Sequence, residues 1–224
     1  MHIGLIGGIG PAATDLYYRG LINVMKAADA PLDLTIVHAD APTLVRNFEA
    51  RTPEPQAEIF LNLTERLVKA GAQAVAITSI GGHFCVDEFR TKCPLPIIDL
   101  IDVMNEHLAS NDIRHAGILG TDTAMKTRFY GGVKSTEILI PQEADIERVH
   151  RAYVDMALSV KVTEEQRRTF FDAGREMTDR GAEVILLGGT DLFLAFDDHD
   201  PGFATLDCAQ VHIEAIAAMA QSTP

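Results

Sequence analysis

Tryptophan is absent from the 224 residues, and aromatic side chains make up only 6% of them, so no stacking surface for nucleobases stands out. Cysteine occurs three times, at Cys85, Cys93 and Cys208. That odd, scattered set has neither CxxC nor finger spacing, which argues against a disulfide framework or a structural zinc site. Basic residues are scarce: 19 Lys and Arg stand against 32 Asp and Glu, a formal net charge of −13. Nucleic acid, whose affinity depends on cations neutralising phosphates, is therefore not an expected partner. A small anion is still allowed, because a pocket can be locally positive on an acidic protein. No apolar stretch is long enough to span a bilayer, so no membrane partner is expected. HIGLIGG at the start lacks the basic opening of a signal peptide, which gives a cytoplasmic expectation. His-rich metal spacing is missing as well. The run Asp197, Asp198, His199, Asp200 reads as an exposed turn, and no metal site is expected.

What is present is internal repetition. GAQAVAITS at 71–79 is answered by GAEVILLGG at 181–189, and HIGLIGGIG at 2–10 by HAGILGTDT at 115–123. Strand and helix signals alternate along the chain. Strands are expected at 2–7, 34–40, 74–78 and 96–99, then at HAGILG, STEILIP, EVILLGG and FATLD. Helices are expected from Ala12 to about Ala28, over 56–70, after SIGGH, and over TDTAMKTRFY, ADIERVHRAYVDMAL, EEQRRTFFDAGREMTDR and AQVHIEAIAAMA. A polar segment from 41 to 56, with Pro42, Pro53 and Pro55, reads as a long and therefore functional loop. Alternating strands and helices imply parallel sheets with right-handed crossovers. The expected fold is α/β: two similar Rossmann-like domains with parallel sheets, related by a pseudo-twofold, with an active-site cleft between them. The expected boundaries are 1–100, joined by a C-terminal helix at 209–224, and 101–208. Ligands in such sheets bind beyond the C-terminal strand ends, here Ser79 and Gly189.

Gly8, Gly10 and Ala13 fit G-x-G-x-x-A between a strand and a helix, with Asp40 at the end of the next strand. That outline suits a dinucleotide, held by helix amides at its pyrophosphate. The same amides suit a substrate carboxylate, and Pro11 suits a first helical turn. The glycines could also serve a tight turn alone.

GLIGGIGPAAT with Tyr17 and Tyr18, AITSIGGH, VILLGGTDL and LDCAQVH occur in order. Together they resemble the aspartate/glutamate racemase family over essentially the whole chain. The resemblance implies two similar α/β domains, no pyridoxal phosphate or other cofactor, and a homodimer. It also implies one cysteine per domain, one thiolate removing the α-proton while the opposite thiol returns one. A cysteine pKa near 8.5 can be lowered by its surroundings to suit that task.

This chain departs from the pattern at both positions. The family's Cys-Asn-Thr-x-His is Ser79-Ile80-Gly81-Gly82-His83 here, and its Gly-Cys-Thr-Glu is Gly188-Gly189-Thr190-Asp191. Ser79 is a poor base without an activating partner. His83, which titrates near neutrality, is the best single proton carrier, with orienting a loop as its bland alternative. Asp191 could replace the second base, or simply cap a helix. Gly189 offers no side chain. Of the cysteines, Cys85 and Cys93 read as structural, and Cys208, beside Asp207, is the better-placed substitute. The resemblance further implies substrate contacts at Gly8, Gly10, Arg46, Gly81, Gly82, Thr121, Lys161, Thr190, Asp207 and His212. Arg suits a bidentate grip on a carboxylate, and Arg51, Lys126 and Arg128 are further cations near the expected loops. Asp207 and His212 could equally be a structural pair. The leading expectation is a racemase-type isomerase acting on a small acidic amino acid or related carboxylate by a non-standard proton-transfer set. The alternatives are an inactive relative that binds a carboxylate and a nucleotide-dependent oxidoreductase.

Overall fold

The computed structural model describes residues 1–8 and 10–222, apart from the side chain of Pro11. The chain divides into two compact units. One comprises Met1–Leu100 with the chain from His212 onward, the other Ile101–Val211.

The first unit runs β1 (His2–Gly7), α1 (Pro11–Ala27), β2 (Asp33–His38), α2 (Ala41–Glu49), α3 (Pro53–Lys69), β3 (Ala74–Ile77), a 3₁₀ turn at Gly81–Cys85, and α4 (Val86–Arg90). Its strands pair in parallel in the order β2-β1-β3. The second unit runs α5 (Leu100–Ser110), β4 (His115–Gly120), α6 (Asp122–Lys126), β5 (Glu137–Leu139), α7 (Glu143–Ser159), α8 (Glu164–Asp179) and β6 (Val184–Gly188). A 3₁₀ turn at Thr190–Leu192, α9 (Phe193–Phe196) and β7 (Thr205–Asp207) complete it. Its parallel order is β5-β4-β6-β7. The α/β architecture with parallel sheets read from the sequence is the one found.

The repeats in sequence are repeats of geometry. Gly71 and Gly181 hold φ of +93° and +105°, a left-handed conformation that glycine adopts without steric cost. Each follows a helix whose third-from-last carbonyl is then capped: Ala72 N–H donates to Leu67 O and Ala182 N–H to Met177 O, both at 3.0 Å. After each turn the chain enters a central strand, β3 or β6, that is buried along its whole length. Burial on both faces explains why these strands read as unbroken apolar runs. Around β1 and β3, Phe60, Leu63, Leu67 and Phe89 close the core on one side.

Two local expectations are corrected. The polar segment 41–56 is not a loop. It holds α2 and the start of α3, leaving only Ala50–Thr52 as a connection. Its prolines sit in first helical turns, where a missing N–H costs nothing, and Asp40 caps α2 by accepting from Thr43 N at 2.9 Å. The expected strand at 96–99 is a single parallel bridge, Val75 to Ile97, because Pro94 and Pro96 remove the donors a longer ladder needs.

The last helix, α10 (Cys208–Gln221), is fixed to the first unit by His212. The ring is fully buried. Its Nε2 lies 2.8 Å from the carbonyl of Ile98, which can only accept, so Nε2 carries the proton. Nδ1 then accepts from the Tyr17 hydroxyl of α1, also at 2.8 Å. A side chain on Gly20 would collide with Ile213, so α1 lets α10 approach closely. Burial, then the neighbouring His83, pushes the His212 pKa down to about 3.

Because the folded value lies below the unfolded one, this histidine contributes stability in full above about pH 6.5 and loses it as pH falls toward 3. Burial lowers His83 in the same direction. Between pH 7 and pH 5 the His212 share is about 2 kcal/mol. Urea unfolding at both pH values should show that loss in the wild type and a flatter response in His212→Gln. Equal responses in the two proteins would contradict the assignment.

Candidate functional site

Each unit gathers polar groups where its central strands end, as parallel α/β sheets do. In the first unit, β1 ends at Gly7 and Gly8. Gly8 holds φ +98°, and a side chain there would meet the His38 ring and lie 2.5 Å from Ala39 O. Its N–H donates to Thr14 Oγ1 at 2.8 Å, so this amide is used inside the fold and is not offered to a ligand. Thr14 Oγ1 also lies 3.3 Å from Thr78 Oγ1, joining α1 to the end of β3. Gly10 is the N-cap of α1, in extended conformation.

Beyond β3, Ser79 is buried, and its carbonyl oxygen accepts from Gly82 N at 3.1 Å. The same oxygen accepts from His83 Nδ1 at 2.8 Å. A carbonyl partner fixes the proton on Nδ1 and leaves Nε2 as a bare lone pair. Nε2 is buried and, among the described residues, has no hydrogen-bond partner. Leaving it so costs about 1–3 kcal/mol, a cost common at reactive centres. Burial is the main influence lowering the His83 pKa, with Asp99 and two carbonyls opposing it, so the ring is neutral near pH 7. Asp99 is itself buried and paired with Arg90 at 2.6 Å. The bond between His83 and Ser79 runs to the backbone, so it does not activate the serine hydroxyl.

In the second unit, Thr121 caps α6, its Oγ1 accepting from Ala124 N at 3.2 Å. Gly188 ends β6 against Ile118 and Leu119 of β4, with no room for a side chain. Gly189 follows, then buried Thr190 and Asp191 in the 3₁₀ turn. Asp191 does not act as a cap here. Its Oδ2 accepts from the Tyr153 hydroxyl of α7 at 3.4 Å. Burial raises the Asp191 pKa, and the bond from Tyr153 opposes the rise. Burial, with Asp191 adding to it, drives the Tyr153 phenol well above its usual value. One turn earlier on α7, His150 Nδ1 accepts from Asp122 N at 3.2 Å.

The remaining expected residues have more local roles. Arg46 lies on exposed α2 and donates to Thr43 Oγ1 at 2.8 Å. Arg51 stands in the turn between α2 and α3 with φ +53°. Lys161 is exposed in the link between α7 and α8, and Lys126 is paired with Asp122 at 3.3 Å. Asp207 caps α10, accepting from Ala209 N at 2.8 Å. His212 has both nitrogens committed within the first unit, which makes it a structural tie and leaves no atom for a substrate. Burial pushes the Cys208 pKa well above normal, away from the reactive thiolate. Burial also drives Cys85 to about 12 and raises Cys93.

Tyr153 was not legible as a site residue, because it reads as one apolar position of an amphipathic helix. Arg128 was named as a cation, but the backbone of Arg128, Phe129 and Tyr130 was not legible: it holds φ of 51°, 61° and 57°, a conformation costly for L residues. The Asp40 carboxylate, bonded to both Thr43 N and Thr43 Oγ1, is already engaged where a ribose hydroxyl would need it. Calorimetric titration with NAD or NADP should therefore give no binding heat. Clear saturable heat with either one would restore the dinucleotide reading.

Comparison with known proteins places this geometry in a family. A family model for Asp/Glu/Hydantoin racemases matches residues 6–216. Among solved structures, a Yersinia pestis protein assigned as an Asp/Glu racemase superposes with a TM-score of 0.88 at 24% identity, covering 99% of this chain and 100% of that one. An aspartate racemase homologue from Pyrococcus horikoshii OT3 gives 0.82 at 24% identity, over 99% of both chains. Picrophilus torridus aspartate racemase gives 0.74 at 18%, over 98% of this chain and 94% of that one. At such identities the structures speak for the fold, while the family model spans nearly the whole sequence. The chain belongs to the Asp/Glu/hydantoin racemase family.

Proposed function

We propose that the protein moves a proton at the α-carbon of a small acidic amino acid or related carboxylate, as a racemase-type isomerase that uses neither pyridoxal phosphate nor cysteine. The observation that carries the proposal is His83: a neutral imidazole at the C-terminal end of β3 with a buried, unshared Nε2 lone pair. Such a group is suited to accept a proton from carbon. Family membership supports the substrate class, since the similar structures are described as racemases of aspartate and glutamate.

Racemisation needs a base and an acid on opposite faces of one carbon. The base takes the α-proton, and the bonding pair stays on carbon, delocalised into the substrate carboxylate. An acid then delivers a proton to the other face and inverts the centre. His83 serves as one carrier and Asp191 as the other. Ser79, Gly81, Gly82, Gly10, Thr121 and Thr190 line the strand ends, and Arg46 grips the substrate carboxylate. Gly189 contributes backbone alone. A cytoplasmic homodimer is part of the proposal.

One observation favours a second reading. Gly189 has no side chain, so the second unit lacks the group its relatives' pattern implies there, and the protein could bind a carboxylate without turnover. The two readings separate by ¹H NMR in D₂O, following α-proton loss from both enantiomers of aspartate, glutamate and a wider amino-acid panel. Exchange of at least one substrate is expected, and binding of all of them without exchange would favour the second reading. Arg46→Ala should weaken carboxylate binding by about tenfold or more, and unchanged affinity would move the anion site elsewhere.

A further inference from the structure

Gly189 does not need to be glycine for its backbone. Its φ of −136° and ψ of 123° are ordinary extended values. What excludes a side chain is Tyr153. A Cβ built on Gly189 would lie 2.6 Å from Tyr153 Cζ and 3.0 Å from Cδ2, and would also run into Cε2. These are atoms of a rigid ring, which cannot yield as the tip of a flexible chain can. The ring therefore fills the space into which a side chain at 189 would project.

Its placement follows from α7. Val149, Tyr153 and Met156 fall at i, i+4 and i+7, the face that packs inward, with Val149 and Met156 fully buried. From that face the phenol reaches the end of β6 and donates to Asp191, whose side chain lies in a buried turn. A bulky apolar residue would fill the space equally well but would take the side-chain donor from this buried carboxyl and leave it only its own backbone amide.

We propose that Tyr153 is a positioning residue that occupies the space of the side chain Gly189 lacks and orients Asp191 for proton transfer. This rests on the reading above, in which Asp191 carries a proton. The phenol is too weak an acid to surrender its own proton at neutral pH. It keeps that proton and uses it to stabilise the ionised carboxylate, the form that can accept a proton from carbon. Few other groups compete for control of Asp191. The phenol of Tyr130 stands near that of Tyr153, His150 on α7 is bonded to the Asp122 amide, and β6 and α9 carry no titratable residue.

Tyr153→Phe keeps the ring and removes only the hydroxyl. The Asp191 carboxyl, followed by ¹³C NMR and assigned with Asp191→Asn, should titrate at higher pH in Tyr153→Phe than in the wild type. The acid limb of the α-proton exchange profile should move up with it, lowering exchange on that limb by about three- to tenfold. An unchanged Asp191 midpoint would overturn the proposal, whether or not the wild type catalyses exchange. An absence of exchange in the wild type would instead refute the function proposed above, and the NMR midpoint would still decide the role of Tyr153. The steric half has its own test. Gly189→Ala should lower the thermal midpoint in the wild-type background and be tolerated alongside Tyr153→Leu. Equal losses in both backgrounds would show that the ring is not what excludes a side chain.

Discussion

Burial of both faces of the central strands is the constraint from which the rest follows. β3, β6 and nearly all of β1 and β4 are enclosed by helices, so their side chains are apolar and chemically silent. Polar groups can enter only where the strands stop, and there the chain turns sharply into helices or 3₁₀ turns through small residues. Ser79, Gly81 and Gly82 follow β3, and Gly189 and Thr190 follow β6. Any chemistry must be assembled at those two exits. The small residues that make the turns possible also limit which side chains can be offered.

Within that constraint the two units have answered the same problem differently. The first holds an imidazole by one nitrogen against the Ser79 carbonyl, in a neutral state set mainly by burial. The second has glycine at 189, with a phenol from α7 packed where a side chain would project and a carboxyl in the following turn. Each of the three cysteines is shifted by burial away from its reactive form. Tyr153 and Gly189 fit one another, the ring filling the space that a side chain at 189 would need.

Much of the architecture was legible because it rests on periodicity and punctuation. The Gly-Ala turns at 71 and 181 marked the entries to β3 and β6, and their positive φ angles explain why glycine stands there. The segment 41–56 was misread because proline signals a loop in isolation but opens a helix in its first turn, and only the cap from Asp40 distinguishes the cases. At the site, His83 and Asp191 were visible as reactive types near strand ends. Their states were not, since burial, nearby charges and hydrogen-bond partners depend on residues farther away in sequence, such as the charge of Asp99 for His83 and the hydroxyl of Tyr153 for Asp191. His212 shows the opposite error: a residue type suited to a site has both nitrogens used to secure the last helix.

The central claim is that two non-cysteine groups, His83 and Asp191, each carry a proton in one direction. The most direct measurement compares α-proton exchange from the L- and D-enantiomers of the best substrate, separately, in His83→Gln and Asp191→Asn. The account predicts complementary losses: each variant stops racemising, yet each still exchanges the enantiomer whose proton the remaining group removes. Full racemisation in either variant would show that the substituted residue carries no proton and would contradict the account.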